Sequence, residues 1–305
     1  MEWAAPDVTA ADGPTPPAGA PWRATASTPP PPPALPRLGP MTVSDILDGG
    51  FAILRQAPAT IIALTAVFVV PIQALGAWLN RGADGLDLDT VLQQGDTSFQ
   101  LGGSSGVSGA AGLVLQAGPM LALVFVAAAL ARLVSAWHVG HDLSLGSLLR
   151  GSLIGAWPLL ASWVLVHALE AVSVIGLVLP LAVMSWFLVT APVIGAEGLG
   201  PIKAMRRSAR LVGRRFWMVL ALALLSFLVE SLFETAIGLL PTLLTSFLGT
   251  DGVGWVLPAA VGILTSLITM PVVAGITVLV YLDLRVRTEG LDLELAAIEA
   301  FPPAT

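Results

Sequence analysis

Residues 197 to 217 read EGLGPIKAMRRSARLVGRRFW, and this basic stretch stands between long apolar runs. It holds six of the fourteen lysines and arginines in the 305-residue chain. Drawn as a helix, it has an apolar stripe of Ile202, Met205, Ala209, Val212 and Phe216. The rest of its surface carries Lys203, Arg206, Arg207, Arg210 and Arg214. This pattern is typical of a basic helix that lies in a membrane surface.

The composition of the whole chain predicts a polytopic membrane protein. Hydrophobic residues make up 55% of the chain, charged residues make up 11%, and the mean hydropathy is +0.85. Soluble domains have about a quarter of their residues charged. The chain has no cysteine, which excludes disulfides and thiolate metal sites. The sequence also has no GxxxxGK(S/T) loop and no HExxH motif, so we predict no metal and no cofactor.

Six apolar runs are long enough to cross a hydrocarbon core of about 30 Å. They are Pro58–Asn80, Ala110–Trp137, Trp157–Leu177, Leu179–Ala196, Phe216–Leu240 and Trp255–Leu282. The third and fourth runs form one apolar block that is too long for a single span, and Gly176 with Pro180 is the natural place for a turn. The predicted fold class is an all-α integral membrane protein with six transmembrane helices.

The distribution of positive charge predicts the orientation. With both termini in the cytoplasm, thirteen lysines and arginines lie inside and Arg81 alone lies outside. The loop 81–109 is then external. Residues 1–40 hold twelve of the twenty-four prolines and are predicted to be a disordered cytoplasmic tail, and residues 291–305 form a cytoplasmic C-terminal tail. A proline ligand for a partner domain is the less favoured interpretation of residues 1–40.

The six spans form three predicted hairpins, each preceded by a short amphipathic helix at the cytoplasmic interface. The leading segments are Ser44–Ala57, Ser144–Ala156 and Pro201–Arg215, which suggests a threefold repeat. In the first, Thr42 or Ser44 is the predicted cap, and Gly49–Gly50 is expected to weaken the helix. Its predicted apolar face consists of Ile46, Leu47, Phe51 and Leu54.

Three stretches carry a resemblance to a known family. They are Glu197-Gly198 with Ala204, Ser208, Leu211, Gly213 and Phe216-Trp217; Ser44 to Phe51; and Tyr281 to Gly290. Together they resemble the glycerophosphoryl diester phosphodiesterase membrane domain. In fused members, the resemblance implies that catalysis belongs to a separate soluble barrel, and no stretch of this sequence alternates strands and helices as such a barrel requires. The resemblance therefore supplies no catalytic residue.

A few ionisable and amide side chains fall inside the spans, where burial of a charge is unfavourable and often marks function. They are His167, Glu170, Glu230, Glu234, Gln73 and Gln116. One hypothesis is a polar vestibule that opens to the outer leaflet and binds a cation, a proton or a polar head group. The alternative is that these groups satisfy one another and fix helix packing. His138 and His141 lack a third strong ligand nearby in sequence and predict no metal site.

The leading functional hypothesis is a non-enzymatic scaffold or accessory subunit of the cell membrane. It contacts anionic lipid head groups and other envelope proteins, and it binds no nucleic acid. The predicted head-group or topology anchors are Lys203, Arg206, Arg207, Arg210, Arg214 and Arg215. The alternative is a transporter or lipid-handling protein that uses the vestibule, and an enzyme acting on phospholipid head groups ranks third because no catalytic motif is visible.

Overall fold

A computed structural model of the chain describes residues 39–79, 110–173, 179–248 and 255–300. Over these ranges the chain forms eleven helices and no strand. They are α1 (Val43–Gln56), α2 (Pro58–Leu79), α3 (Ala110–His138), α4 (Leu145–Ile154), α5 (Ala156–Ser173), α6 (Leu179–Phe187), α7 (Thr190–Glu197), α8 (Pro201–Gly213), α9 (Phe216–Leu248), α10 (Val256–Glu289) and α11 (Leu291–Ala300). Residues 1–38, the predicted external loop 81–109 and residues 301–305 lie outside the described ranges.

The prediction of six spans is confirmed. Six helical segments in the described ranges are long and apolar enough to cross a membrane: Pro58–Leu79, Ala117–His138, Ala156–Ser173, Leu179–Glu197, Phe216–Pro241 and Val256–Glu289. Several begin at or next to the predicted residue, such as Pro58 and Phe216. The chain is therefore a multi-pass, all-α protein by length and composition of its helices.

The fourth span is broken into α6 and α7, a feature that the sequence prediction did not include. Pro192 lies in the first turn of α7 and has no N–H to donate to the carbonyl of Leu188, so a continuous helix is interrupted there. The hydroxyl of Ser208 in α8 donates to the carbonyl of Trp186 at 2.8 Å, next to the break. The break thus exposes a backbone acceptor that ties α6 to α8.

Helices α3 and α10 form the centre of the bundle. Helix α3 packs against α2, α7 and α10, and α10 packs against α1, α2, α3 and α9. The middle of α3 is almost fully buried from Val126 to Ala131, and α10 is buried from Met270 to Leu284 apart from Val273. Helices α5, α6 and α9 lie around this core. Their exposed large side chains, such as Leu165 and Phe227, suit contact with lipid.

Helix α1 begins with a capping box at Thr42, one of the two predicted caps. The Thr42 hydroxyl accepts from the Asp45 N–H, and Thr42 donates back to the Asp45 carboxylate from its hydroxyl and its backbone N–H, at 2.7 and 2.8 Å. These two bonds, that of the hydroxyl first, hold the pKa of the Asp45 carboxyl below its usual range.

The predicted apolar face of α1 is partly wrong. Ile46, Gly49, Gly50 and Ile53 are buried, whereas Phe51 is 41% exposed. A Cβ on Gly50 would lie 2.7 Å from the Ile276 Cγ1 and 2.9 Å from the Val272 carbonyl oxygen. Gly50, one of the two glycines that were expected to weaken the helix, lets its backbone approach α10.

Helix α1 also runs along α10 in the opposite chain direction. Met41, just before α1, hydrogen-bonds Asp283 and Arg287, while Gly50 packs against Val272 and Ile276. Helix α10 has 34 residues, about 51 Å at about 1.5 Å per residue, and a span needs only about 20 residues. Helix α10 is therefore long enough to cross a bilayer and still extend beyond it alongside α1.

The buried side of α8 differs from the apolar stripe that the sequence predicted. Ala204, Ser208, Leu211 and Val212 are buried, while Ile202 is 57% exposed. On a helical wheel this buried side is turned by about one residue position from the predicted stripe. The rotation brings Arg207 to the edge of the bundle-facing side.

The contact between Gly50 and α10 generates a prediction about stability. Replacement of Gly50 by Ala should overpack the contact with the α10 backbone and lower the free energy of unfolding by about 1–3 kcal/mol. The measurement is thermal unfolding of the detergent-solubilised protein, followed by tryptophan fluorescence. Gly238→Ala is the matched control, because a Cβ there meets nothing within 4 Å. Equal midpoints for the two variants would contradict the close approach of α1 to α10.

Candidate functional site

Five polar side chains from three helices meet at the C-terminal end of α10, and we call them the Arg207 cluster. They are Glu197, Arg207, Tyr281, Arg285 and Glu289. Glu197 ends α7, where Gly198 follows with a φ of 65° that suits glycine, and Arg207 lies on α8. The other three lie on the last turns of α10 at spacings of four residues and therefore share one face.

Arg207 binds two carboxylates from two different helices. Its Nε donates to Glu197 Oε1 and Oε2 at 3.2 and 3.1 Å, and its Nη2 donates to Glu197 Oε1 at 3.1 Å. Its Nη1 donates to Glu289 Oε1, and its Nη2 donates to Glu289 Oε2 at 2.8 Å. Planar guanidinium groups suit such forked contacts better than ammonium groups do. One side chain thus joins α7, α8 and α10.

Tyr281 and Arg285 complete the cluster. The Tyr281 hydroxyl donates to Glu197 Oε1 at 2.9 Å and accepts from Arg285 Nη1 at 3.3 Å. Arg285 Nε donates to Glu289 Oε2 at 3.1 Å. Tyr281 is fully buried, so its hydroxyl needs a hydrogen-bond partner, and Glu197 provides one.

The electrostatics of the cluster favour the charged state of Arg207. Its hydrogen bonds to Glu289 raise the pKa of the guanidinium above its usual range, and those to Glu197 add to the effect. Burial opposes this shift but does not outweigh it. Only about 20% of the Arg207 side chain is exposed, as is the same share of Glu197. Arg207 therefore remains a permanent cation whose donors are directed to protein carboxylates.

A second charged contact holds the start of α1, and we call it the Met41 clamp. The Asp283 carboxylate accepts from the Met41 N–H at 2.8 Å and from Arg287 Nε at 2.8 and 2.9 Å. Arg287 Nη2 donates to the Met41 carbonyl at 2.8 Å. The Asp283 side chain is fully buried, which makes this ion pair part of the core. The clamp therefore satisfies both backbone groups of Met41.

The predicted head-group anchors separate into two groups in the structure. Arg207 belongs to the Arg207 cluster, whereas Lys203, Arg206, Arg210, Arg214 and Arg215 are exposed. Arg210 Nε donates to the Arg206 carbonyl at 3.4 Å, and Arg215 Nη1 contacts Met218 Sδ at 3.3 Å. Neither contact involves a carboxylate. The exposed group remains available to an external anion, and Arg207 does not.

The vestibule candidates do not all meet in the described part of the chain. His167 Nδ1 bonds the Trp163 carbonyl at 2.9 Å, and its Nε2 lies 3.4 Å from Met120 Sδ and 3.9 Å from Glu170 Oε2. Gln73 Nε2 instead donates to Ser266 Oγ at 2.7 Å, between α2 and α10. Glu230 lies on α9, and the side chains of Gln116 and Glu234 lie outside the described set. The structure thus brings His167 and Glu170 together with Met120.

No role was predicted from the sequence for Asp283, Arg285, Arg287 or Glu289. The signal was present in their spacing, because Asp283 with Arg287 and Arg285 with Glu289 are opposite charges four residues apart. Tyr281, the single tyrosine of the chain, precedes them on the same face. The tertiary partners Glu197, Arg207 and Met41 could not be derived from that spacing. Among the described residues, no group of three His, Asp or Glu side chains is placed to hold a metal ion.

Loss of the Arg207 guanidinium should destabilise the bundle. Arg207→Gln leaves Glu197 and Glu289 partly buried without their main donor, so we expect the free energy of unfolding to fall by about 2–3 kcal/mol. Arg206→Gln, at the neighbouring exposed position, should change it by less than about 0.5 kcal/mol. The double variant Arg207→Gln, Glu289→Gln should lose less free energy of unfolding than the sum of the losses in the two single variants, because the two residues interact. Additive effects in this cycle would contradict the pairing.

Comparison with known proteins finds no relative of this chain. No family model matches the chain, and neither a curated protein nor a solved structure matches it. The resemblance suggested by the sequence motifs therefore stays a prediction. The functional argument rests on the contacts of the chain itself.

Proposed function

We propose that this chain is a non-enzymatic scaffold or accessory subunit of the cell membrane, with both termini in the cytoplasm. It contacts anionic lipid head groups and other membrane proteins through the exposed basic side of α8. The division of the α8 cations carries this proposal: Arg207 holds the bundle together, while Lys203, Arg206, Arg210, Arg214 and Arg215 are exposed. Near an anionic surface, each exposed cation contributes about 1 kcal/mol.

The arrangement of the Arg207 cluster supports a structural role over a catalytic one. Each carboxylate of the cluster accepts from at least one arginine, and the Tyr281 hydroxyl both donates and accepts. An active site requires at least one group with a free reactive position close to a second polar group. Within the cluster, and separately within the Met41 clamp, the polar side chains hydrogen-bond their own neighbours instead. An enzyme acting on phospholipid head groups thus remains the third-ranked function.

The contacts between motif stretches support the resemblance to the glycerophosphoryl diester phosphodiesterase membrane domain. The stretch Tyr281 to Gly290 contacts the motif residue Glu197, and also Arg207 of the same basic stretch, through the Arg207 cluster. Helix α1, which contains the motif stretch Ser44 to Phe51, packs on the same helix, α10. Three stretches far apart in sequence therefore lie on α10 or contact it, which suits a shared structural signature. Membership in this family is our proposal.

The helix contacts also support the proposed hairpins. Helix α2 packs against α3, α5 packs against α6, and α9 packs against α10. Short helices α1, α4 and α8 precede these three pairs. We place α4 and α8 at the cytoplasmic interface, where the positive charge is concentrated. Superposition of the three units on one another tests the threefold repeat.

Neutralisation of the exposed α8 cations tests the leading function. We expect the combined change Lys203→Gln, Arg206→Gln and Arg210→Gln to weaken binding of short-chain phosphatidylglycerol to the detergent-solubilised protein by about tenfold or more. Added salt should weaken wild-type binding in the same direction. The charge-preserving control is Lys203→Arg, Arg206→Lys and Arg210→Lys. The head-group proposal fails if the neutral and the charge-preserving proteins bind this lipid equally.

A second candidate is a transporter or lipid-handling protein, and the contact of His167 with Glu170 and Met120 favours it. The His167 and Glu170 side chains are 34% and 21% exposed, so neither is enclosed in the core. The Nδ1–H···O bond to the Trp163 carbonyl leaves Nε2 facing the carboxylate and the thioether. Such a group can exchange a proton or bind a polar ligand. The competing interpretation is an ion pair that only fixes packing.

Thiol labelling tests this second candidate. The chain has no cysteine, so single cysteines report without background. If His167 and Glu170 line a water-filled vestibule, His167→Cys and Glu170→Cys should react with a membrane-impermeant reagent added outside cells. Leu169→Cys is the matched control, because Leu169 is an exposed apolar residue of the same helix and would face lipid. Labelling of Ser104→Cys in the predicted external loop, without labelling at His167 or Glu170, would exclude the vestibule.

A further inference from the structure

Arg132 of α3 differs from the other described arginines of the bundle interior. It lies six residues before the end of α3, about 9 Å along the helix axis. Its Nε donates to the Gly195 carbonyl of α7 at 3.0 Å, and its Nη1 is buried without a hydrogen-bond partner among the described residues. The side chain as a whole is partly exposed. Nε is therefore bound to protein, whereas Nη1 has no acceptor in the part of the chain that the structure describes.

Two glycines make room for this side chain, and a third allows α7 to approach α3. A Cβ on Gly151 would lie 2.3 Å from Arg132 Nη1, and a Cβ on Gly155 would lie 2.8 Å from Nη2. A Cβ on Gly195 would lie 2.1 Å from the Ala128 carbonyl oxygen, so α7 could not approach α3 with a larger residue. We call Arg132, Gly151, Gly155 and Gly195 the Arg132 socket. The spacing of Gly151 and Gly155 thus serves a charged side chain as well as helix packing.

The socket lacks a counter-charge from the described residues. Arg207, Arg285 and Arg287 each pair with a carboxylate, but no described carboxylate pairs with Arg132. The neighbouring Ser152 hydroxyl is also buried without a partner. A guanidinium in low dielectric is strongly unfavourable unless an anion or several acceptors compensate its charge. The described residues therefore supply no acceptor that compensates this charge.

We propose that the Arg132 socket binds one phosphate group, carried by a lipid head group or free in solution. A planar guanidinium fork suits phosphate oxygens, and α3 ends near the side of the bundle where the positive charge is concentrated. The proposal of a lipid head group rests on the membrane location and orientation proposed above. The socket differs from the exposed side of α8 because Arg132 is held in place by Gly195, Gly151 and Gly155 and would bind a single anion there.

The test is binding of phosphate compounds to the full chain, purified in a phosphorus-free detergent. Short-chain phosphatidylglycerol, short-chain phosphatidylcholine and inorganic phosphate are titrated separately. Wild-type protein should bind about one phosphatidylglycerol tightly, and Arg132→Gln and Gly151→Ala should weaken this binding at least about tenfold. Competition by inorganic phosphate identifies a free anion as a sufficient ligand, and its failure identifies the lipid.

Matched variants separate the socket from folding and from general charge. Gly146→Ala lies on the same helix as Gly151 but its Cβ would meet nothing within 4 Å, and Arg150→Gln removes an exposed cation from that helix. Both should bind as wild type does. Arg132→Lys keeps the charge and loses the fork, so it should fold and still bind more weakly. It keeps the proposal testable if Arg132→Gln does not fold.

Three results would overturn the proposal. Unchanged binding in Arg132→Lys and Gly151→Ala would show that water or a carboxylate of another protein satisfies the guanidinium. Equal loss in Gly146→Ala would show an effect on folding alone. Loss of binding in the α8 variants, with Arg132 variants unaffected, would leave the proposed function standing and exclude the socket. Loss confined to the Arg132 variants would support the socket and count against the role of α8.

Discussion

The guanidinium of Arg207 is the contact on which the arrangement of α7, α8 and α10 depends. It binds carboxylates at the ends of two other helices, Glu197 of α7 and Glu289 of α10. Each carboxylate gains further donors from α10, since Tyr281 binds Glu197 and Arg285 binds Glu289. Removal of Arg207 leaves both carboxylates partly buried without their main donor. The cluster therefore fixes where α7, α8 and α10 meet, in a protein whose apolar surfaces could slide past one another in lipid.

The same constraint explains the length of α10. The sequence predicted a span that ends at Leu282, because Asp283, Arg285, Arg287 and Glu289 cannot lie in hydrocarbon as free charges. In the structure the helix continues to Glu289, because these charges pair at spacings of four residues. Asp283 also binds Met41, and Glu289 binds Arg207. Hydropathy located the apolar part of the helix. The charged residues that follow the apolar run pair with one another and with neighbouring helices, and the helix therefore continues through them.

Prediction from the sequence succeeded where a single physical rule decides the outcome. A span needs an apolar run that satisfies its own backbone hydrogen bonds, and six such runs gave six helical segments. It failed where the result depends on neighbours. The sides of α1 and α8 that are buried are set by Gly50 against Val272 and by Ser208 against Trp186, neither of which an amphipathic pattern reveals. The sequence could predict only part of the site. The charge pairs within α10 follow from their spacing of four residues, whereas their partners on other helices have no regular spacing in the sequence.

Helix α7 connects the two charged sites of the bundle. It has only eight residues, and it begins at the break that Pro192 imposes on the fourth span. The Gly195 carbonyl accepts from Arg132, and Glu197, two residues later, accepts from Arg207 and Tyr281. Gly195 also allows α7 to touch the backbone of α3. A displacement of this short helix would therefore change the acceptor of Arg132 and the pairing of Arg207 together, so that the Arg132 socket and the Arg207 cluster depend on the position of one element.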